Sequence, residues 1–307
     1  MSTIDAALQS GGTAVRERLS ALALSMAALF WSGNYVAGRY LRDHLDALTL
    51  NAARWTLALV LILPFVWPEL RASMPALRRH WRLVLGLGAT GIASFHTLSY
   101  SALQSTTAVN ALLILSLTPT AILIAGVLSG RERPTARQIV GVLISTAGAV
   151  VLVTRGDPAV LLQRSFNIGD LWMLAAVAVW AVYSLLLRAR PAALSQSVTL
   201  TASIGAGLAL LAPFWLLTAS TPLAALATTS TALAIIYIAV FASAIAFPLW
   251  SYGVTHLGAT RSGQFIHLMP VFGAVLAFGV LGETLKAPQI VGGALAIMGV
   301  IWVERRT

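Results

Sequence analysis

Long apolar runs alternate with short polar gaps along the whole chain. Ten runs lie at roughly 19–41, 47–67, 82–102, 107–129, 135–154, 168–188, 195–217, 230–252, 259–281 and 286–303, each close to the ~20 residues a helix needs to cross a bilayer. Polar and apolar residues do not alternate in these runs, so barrel strands are not expected. The predicted fold is an all-α integral membrane protein of ten transmembrane helices, with short gaps making neighbours antiparallel. The longest gap, Gly156–Asn167, contains Gly156, Asp157 and Pro158 and separates two halves. The expected division is a disordered tail over 1–18, a first repeat over 19–154, a linker over 155–167, a second repeat over 168–303 and a short tail over 304–307. The first apolar run is too long for a signal-peptide core and has no small-residue cleavage site, so it is expected to be retained as the first span.

The halves repeat one another. Leu117-Thr118-Pro119 matches Leu268-Met269-Pro270, and Gln138-Ile139-Val140-Gly141 matches Gln289-Ile290-Val291-Gly292, both at a spacing of 151 residues. Gly130-Arg131-Glu132 matches Leu281-Gly282-Glu283, and Gly148 matches Gly299, at the same spacing. Near the start of each half Trp31 matches Trp180 and Arg39 matches Arg188 at a spacing of 149. A duplicated unit of five spans must place its two copies in opposite orientations, the inverted-repeat plan of many secondary transporters.

Charge adds an orientation. With the N-terminus placed in the cytoplasm, fourteen Lys and Arg fall on the inner side and five, Arg39, Arg42, Arg155, Arg164 and Lys286, on the outer side. That bias predicts cytoplasmic termini and a multi-pass cell (inner) membrane protein. The chain is 58% hydrophobic and 10% charged, against about 25% charged for a soluble domain, so lipid is its expected solvent. Its net charge of +10 sits in gaps suited to anionic headgroups, and nucleic acid is not an expected partner. There is no cysteine, hence no disulfide or thiolate metal site.

The residues Phe30-Trp31-Ser32-Gly33-Asn34-Tyr35-Val36, the Arg54…Ala58 pair in the second span, and a Pro-centred helix followed by Gly-x-Glu or Gly-Arg-Glu and Gln-x-x-Gly in each half resemble the EamA unit of the drug/metabolite transporter superfamily. The resemblance covers residues 20–303 and, in length and aromatic content, is similar to the YddG-type exporters of aromatic amino acids. Trp180-Ala181-Val182-Tyr183 departs from the family's Trp-Gly start. The resemblance implies a ten-helix basket around a central cavity, lined mainly by spans 1, 3, 4, 6, 8 and 9, with spans 5 and 10 at the periphery.

Candidate chemistry is sparse. All ten acidic residues, Asp170 among them, fall in gaps or at span ends, so a midplane carboxylate that cycles a proton is not expected; uniport without obligatory proton coupling is the simpler reading, and coupling through a His is the alternative. His96 and His267 lie within spans three and nine, each serving either a helix-to-helix hydrogen bond or a cavity wall. Arg54 lies about seven residues inside span two, where it could snorkel, pair with Asp43 or Asp46, or hold a substrate carboxylate. Asn34 and Asn110 need polar partners or water. Trp31 and Tyr35, four apart, share a helix face, as do Trp180 and Tyr183; Trp31 and Trp180, about ten residues into their spans, fit the cavity better than the interfacial belt. Tyr100 lies near the end of span three. Pro119 and Pro270 mark matching kinks or hinges in spans four and nine.

The expected substrate contacts are Trp31, Asn34, Tyr35, His96, Tyr100, Asn110, Trp180, Tyr183 and His267, with no catalytic residue, metal or cofactor. The expected partners are a small-molecule substrate and the lipid bilayer, and the chain is expected to work as a monomer. An intramembrane enzyme would need a nucleophile with a base, or a metal cluster, and neither pattern is present. A receptor would not require inverted repeats with polar groups at midplane. A nucleotide-sugar carrier would want several cavity cations. Export of neutral or aromatic amino acids fits best, with drug or toxic-cation export left open.

Overall fold

In the computed structural model the ten apolar runs become ten helices. Residues 3–130, 133–157, 159, 166–257, 262 and 264–304 are described, the side chains of 3–14, 223, 264, 300, 303 and 304 excepted. Span 1 is Thr3–Tyr40, span 2 Ala47–Ala72, span 3 Trp81–Ser105, span 4 Ala108–Leu128 and span 5 Ala136–Thr154. Span 6 is Ile168–Arg188, span 7 Gln196–Thr218, span 8 Thr229–Leu257, span 9 Phe265–Leu281 and span 10 Ala287–Glu304. Eight of these are long and apolar enough to cross a bilayer, and the remaining two, spans 9 and 10, contain shorter apolar helices. No strand occurs among the described residues.

Several boundaries differ from expectation, span 8 among them, which runs on to Leu257. Span 1 begins at Thr3, so the segment expected to be a disordered tail is helical from there; Ala, Leu, Gln, Glu and Arg are good helix formers, and a nucleated helix extends cheaply. Span 2 continues through Pro64 and Pro68 to Ala72. A short helix, Met74–Arg79, with Pro in its first turn, then joins it to span 3, where a missing N–H costs nothing. Linker residues 160–165 and tail residues 305–307 lie outside the described residues.

Several helix starts carry side-chain caps. Thr107 caps span 4, Ser195 caps span 7, and Thr135 with Gln138 forms a capping box on span 5. Asp46 caps span 2 by accepting from the N–H and hydroxyl of Thr49, both at 2.8 Å. The same carboxylate accepts from the Thr221 hydroxyl at 2.6 Å and its N–H at 3.1 Å. One acid thus ties the start of span 2 to the segment joining spans 7 and 8.

The halves meet along spans 5 and 10. A Cβ on Gly148 would lie 2.5 Å from Ala296 N and 2.7 Å from Gly292 O, and one on Gly299 would lie 2.4 Å from Ser145 N and 2.6 Å from Gly141 O. As residue number rises in one helix it falls in the other, so the two run antiparallel. Gly141 and Gly292, Ser145 and Ala296, and Gly148 and Gly299 are repeat equivalents, so each contact recurs with the halves exchanged. Ser145 Oγ even donates to the carbonyl of its own equivalent, Ala296, at 3.1 Å. Equivalent helices that cross antiparallel under exchange imply a pseudo-two-fold axis perpendicular to them, in the membrane plane. The rest of the packing obeys the same exchange: span 1 packs on spans 8 and 9, span 6 on spans 3 and 4, and span 2 on span 7.

Four departures from regular helix follow the symmetry too. Span 3 contains a π-helical turn, Gly88–Ser94, and span 8 contains one at the equivalent place, Ile238–Ile245. Span 4 breaks at Ser116–Leu117, just before Pro119. Span 9 opens with a 3-10 turn, Gln264–His267, just before Pro270.

Two consequences are measurable. Gly148→Val would drive a side chain into the span 10 backbone and should cost about 1–3 kcal/mol, whereas a Cβ at Gly279 meets nothing within 4 Å, so Gly279→Ala should leave thermal unfolding of the detergent-solubilised protein unchanged or slightly higher. Partial burial raises the proton affinity of Asp46, but the Thr221 and Thr49 hydrogen bonds outweigh it and hold the carboxyl below its ordinary value. A depressed folded pKa gives stability that is complete above the unfolded value near 3.9 and fades as pH falls below it. Melting temperature should therefore drop below about pH 4 in the native protein, and Asp46→Ala should lose about 0.5–2 kcal/mol at neutral pH together with part of that acid dependence.

Candidate functional site

A cavity of about 200 Å³ lies between the halves. Two aromatic walls face it, one per exchange-related helix pair. On one side Trp31 of span 1 stands against Phe247 and Trp250 of span 8, at ring-centroid distances of 5.6 and 5.2 Å. On the other, Trp180 of span 6 stands against Phe95 of span 3 at 4.5 Å and its own neighbour Tyr183 at 4.8 Å. Trp31 is anchored by its indole N–H, which donates to Ala242 O at 3.1 Å, a carbonyl within the π-helical turn of span 8.

Polar groups line one end. Arg54 Nε donates to Ser243 Oγ and its Nη1 to the Tyr100 oxygen, both at 3.0 Å, and Tyr100 donates onward to Asn34 Oδ1 at 2.7 Å. The guanidinium lies 4.7 Å from the centroid of Trp55. His96 points Nδ1 at Gly91 O, 2.9 Å away. A carbonyl only accepts, so Nδ1 carries the proton, and Nε2 of the neutral ring is left as an acceptor. Thr118, Thr199 and Gln196 also reach the lining, and no acidic residue does among the described residues.

Six of the nine expected contacts come together here: Trp31, Asn34, Tyr35, His96, Trp180 and Tyr183. Tyr100 stands behind the lining, 1% exposed, orienting Asn34 and Arg54. Asn110 lies near the face opposite the termini, donating to Asp170 Oδ1 at 2.6 Å. His267 is turned off the cavity while Ile266 and Met269 line it, and neither of its ring nitrogens has a hydrogen-bond partner among the described residues. Arg54 neither snorkels nor pairs with Asp43 or Asp46. It is 1% exposed, Asp43 pairs with Arg42, and Asp46 is taken up by Thr49 and Thr221. The lining also includes Arg54, Phe95, Phe247 and Trp250, none of which was among the expected contacts, and spans 2 and 7 contribute alongside the six expected spans. Spans 5 and 10 stay outside the lining.

Pro119 and Pro270 flank the cavity rather than line it. Pro119 has no N–H to offer Leu115 O, and the Thr118 hydroxyl donates there instead at 2.6 Å. Ser32 Oγ donates to Met269 O at 3.0 Å, tying span 1 to the residue before Pro270.

The two ends of the cavity differ. Toward the face opposite the termini, Arg39 donates to Leu103 O at 2.7 Å and lies 3.7 Å from Glu283. Glu283 accepts from the N–H groups of Ala108 and Val109, at 3.1 and 3.3 Å, so an acid after span 9 seats on the positive N-terminus of span 4. Asp170 lies close by, fully buried, accepting from Thr106 at 2.5 Å and from Asn110. These contacts close the first half against the second. At the other end the lining reaches Leu187 and Gln196, beside the short connection between spans 6 and 7, so the cavity extends toward the terminal face.

The sequence matches the EamA-like transporter family twice, over residues 18–154 and 167–305, one match for each half. It is 30% identical over 290 residues to a probable terminal-alkyne amino-acid exporter of Streptantibioticus cattleyicolor, covering 93% of each chain. It is 27% identical over 281 residues to an uncharacterized transporter of Archaeoglobus fulgidus, covering 91% of this chain and 95% of the relative. A crystal structure 22% identical in sequence superposes with a TM-score of 0.59 over 92% of this chain and 95% of that one, a likeness of fold. With a family match in each half and a cavity where the halves meet, the chain belongs to the EamA-like transporter family.

Proposed function

We propose that this transporter exports neutral or aromatic amino acids and flat analogues from the cytoplasm, by alternating access between its two repeats. The observation that carries the reading is the pair of aromatic walls, Trp31 with Phe247 and Trp250 and Trp180 with Phe95 and Tyr183, enclosing a space sized for one small metabolite. Ring-to-ring contacts add about 0.5–1.5 kcal/mol each beyond plain burial, which favours a planar apolar side chain. The Streptantibioticus relative, an amino-acid exporter by name, supports the same class. Drug or toxic-cation export fits less well, because the lining contains Arg54 and, among the described residues, no carboxylate, and a fixed positive charge repels a cation in a medium that screens poorly.

Both termini are assigned to the cytoplasm of a cell (inner) membrane protein, from the fourteen-to-five bias of Lys and Arg. The closed face is then external and the cavity extends toward the cytoplasm, the arrangement from which an exporter loads. No obligatory proton gradient is assigned to the cycle. Among the described residues the cavity lining contains no acid, and the buried Asp170 bonds to Thr106 and Asn110 at the closed face, away from the aromatic walls.

In proteoliposomes, efflux of preloaded phenylalanine should proceed without a pH gradient and change less than about twofold when one is imposed. Trp31→Ala and Trp180→Ala should each lower that flux about 10-fold or more, the scale of losing one aromatic wall, in protein that inserts normally. Normal flux in both variants, or strict dependence on the gradient, would refute the scheme. Single cysteines introduced into this cysteine-free chain test the orientation: one near the C-terminus should react with a membrane-impermeant maleimide only after the cells are opened, and one at Thr221 should react in intact spheroplasts.

A further inference from the structure

We propose that Arg54 is the anchor for a substrate carboxylate, so that the cavity selects compounds carrying a free carboxylate over the matching amides and amines. The inference rests on the reading above for the location of the site, and it concerns the charged end of the substrate rather than its apolar end.

Arg54 is 1% exposed and contributes to the cavity lining. Its nearest polar partners, Ser243 and Tyr100, are neutral. No carboxylate pairs with it among the described residues, because those on the nearby face are engaged elsewhere: Asp43 with Arg42, Asp46 with Thr49 and Thr221, Glu283 with Arg39 and the start of span 4, and Asp170 with Thr106 and Asn110. Buried cations are ordinarily paired, since a lone charge removed from water is costly. An arginine always carries its charge, so the missing partner has to be an anion that comes and goes. A carboxylate suits the planar guanidinium, which binds it through parallel N–H donors.

The neighbouring groups are arranged for that role. Tyr100 gives its proton to Asn34 Oδ1, so its oxygen accepts from Arg54 and sets the plane of the guanidinium. Trp55 supports one face at 4.7 Å. His96 also packs on Trp55, with ring centroids 5.1 Å apart. Its proton is committed to Gly91 O, which leaves Nε2 to accept from a substrate ammonium. An α-amino acid presents its two charged groups on one carbon, and the aromatic walls beyond them receive its side chain.

The test uses matched probes on the full-length protein in nanodiscs: phenylalanine, phenylalaninamide, 3-phenylpropionate and phenethylamine, with binding read by calorimetry or tryptophan quenching. The native protein should bind the two acids about 10- to 100-fold more tightly than the amide and the amine, the scale of a charge-assisted hydrogen bond. Arg54→Gln should bring that preference below about 3-fold while indole, which has no carboxylate, binds within about 3-fold of native, showing that the cavity is intact. Should Arg54→Gln fail to fold, Arg54→Lys takes its place. It keeps the charge without the fork and should weaken the acids about 10-fold and the amide little. Equal binding of acid and amide by the native protein, or an undiminished preference in Arg54→Gln, overturns the anchor. If none of the phenyl compounds binds, the amino-acid reading fails on its own, and short carboxylates paired with their amides then decide the anchor: preference for the acids supports it, and indifference sinks it.

Discussion

Every backbone polar group inside a bilayer must find a partner within the protein, and irregular backbone is tolerated only where it faces protein or an internal cavity. That requirement organises this molecule. Its four departures from regular helix, the π-helical turns in spans 3 and 8, the break in span 4 and the 3-10 start of span 9, all border the central cavity. Side chains in and around the site satisfy groups they free. His96 takes Gly91 O, Asn51 takes Ile92 O at 3.0 Å, Trp31 takes Ala242 O, Ser243 takes Ile238 O at 3.1 Å, and Thr118 takes Leu115 O. Residues that shape the cavity are therefore also residues that let the helices bend around it. A change at Trp31 or His96 uncovers a carbonyl as well as removing part of the lining, which is why normal insertion is required of the Trp31 variant before its flux is compared.

The helix count, the duplication and the opposed orientation of the halves are legible in the sequence because they depend on coarse quantities. Run length multiplied by 1.5 Å per residue sets what crosses a bilayer. A constant spacing between Gln138-Ile139-Val140-Gly141 and Gln289-Ile290-Val291-Gly292 signals duplication, and an odd span count per unit forces inversion. The close approach of Gly148 to Ala296 then follows from glycines kept at matching places in both copies.

The site was only partly legible, for reasons of geometry. Trp31 with Tyr35 and Trp180 with Tyr183 sit in regular helix, where spacing gives the face directly. Beyond a π-helical turn, each extra residue rotates the following side chains by about 100° relative to a regular count, so the positions of Phe247 and Trp250 could not be taken from α-helical spacing. His267 sits in the 3-10 turn, where one residue of offset decides between Ile266, which lines the cavity, and a ring turned away from it. Arg54 was misplaced because its distance from the span end suggested a shallow position. What holds it inside is a chain of neutral partners from spans 1, 3 and 8, which lie 20, 46 and 189 residues away in sequence, as Asn34, Tyr100 and Ser243. Asp170, at a span end as the sequence has it, is nonetheless fully buried, because the ends of spans 3 and 4 cover it with Thr106 and Asn110.

The scaffold is symmetric and the site is not. Helix packing survives exchange of the halves, and Trp31 and Trp180 stand in equivalent places, one in each aromatic wall. The hydrogen-bonded polar end comes almost wholly from the first repeat: Arg54, Tyr100, Asn34 and His96, with Ser243 the one partner from the second. At the spacing that relates Trp31 to Trp180, the counterpart of Arg54 is Ser203, a buried hydroxyl. A symmetric cavity would meet both ends of a substrate with the same chemistry, which suits a ligand that is itself alike at both ends. A molecule with a charged head and an apolar tail needs the two halves to differ. Duplication supplies two helical units that can rock against one another, and divergence of a few buried polar positions gives the space between them a direction. On the proposed reading, the halves share the work of opening and closing, while the first repeat does most of the polar recognition.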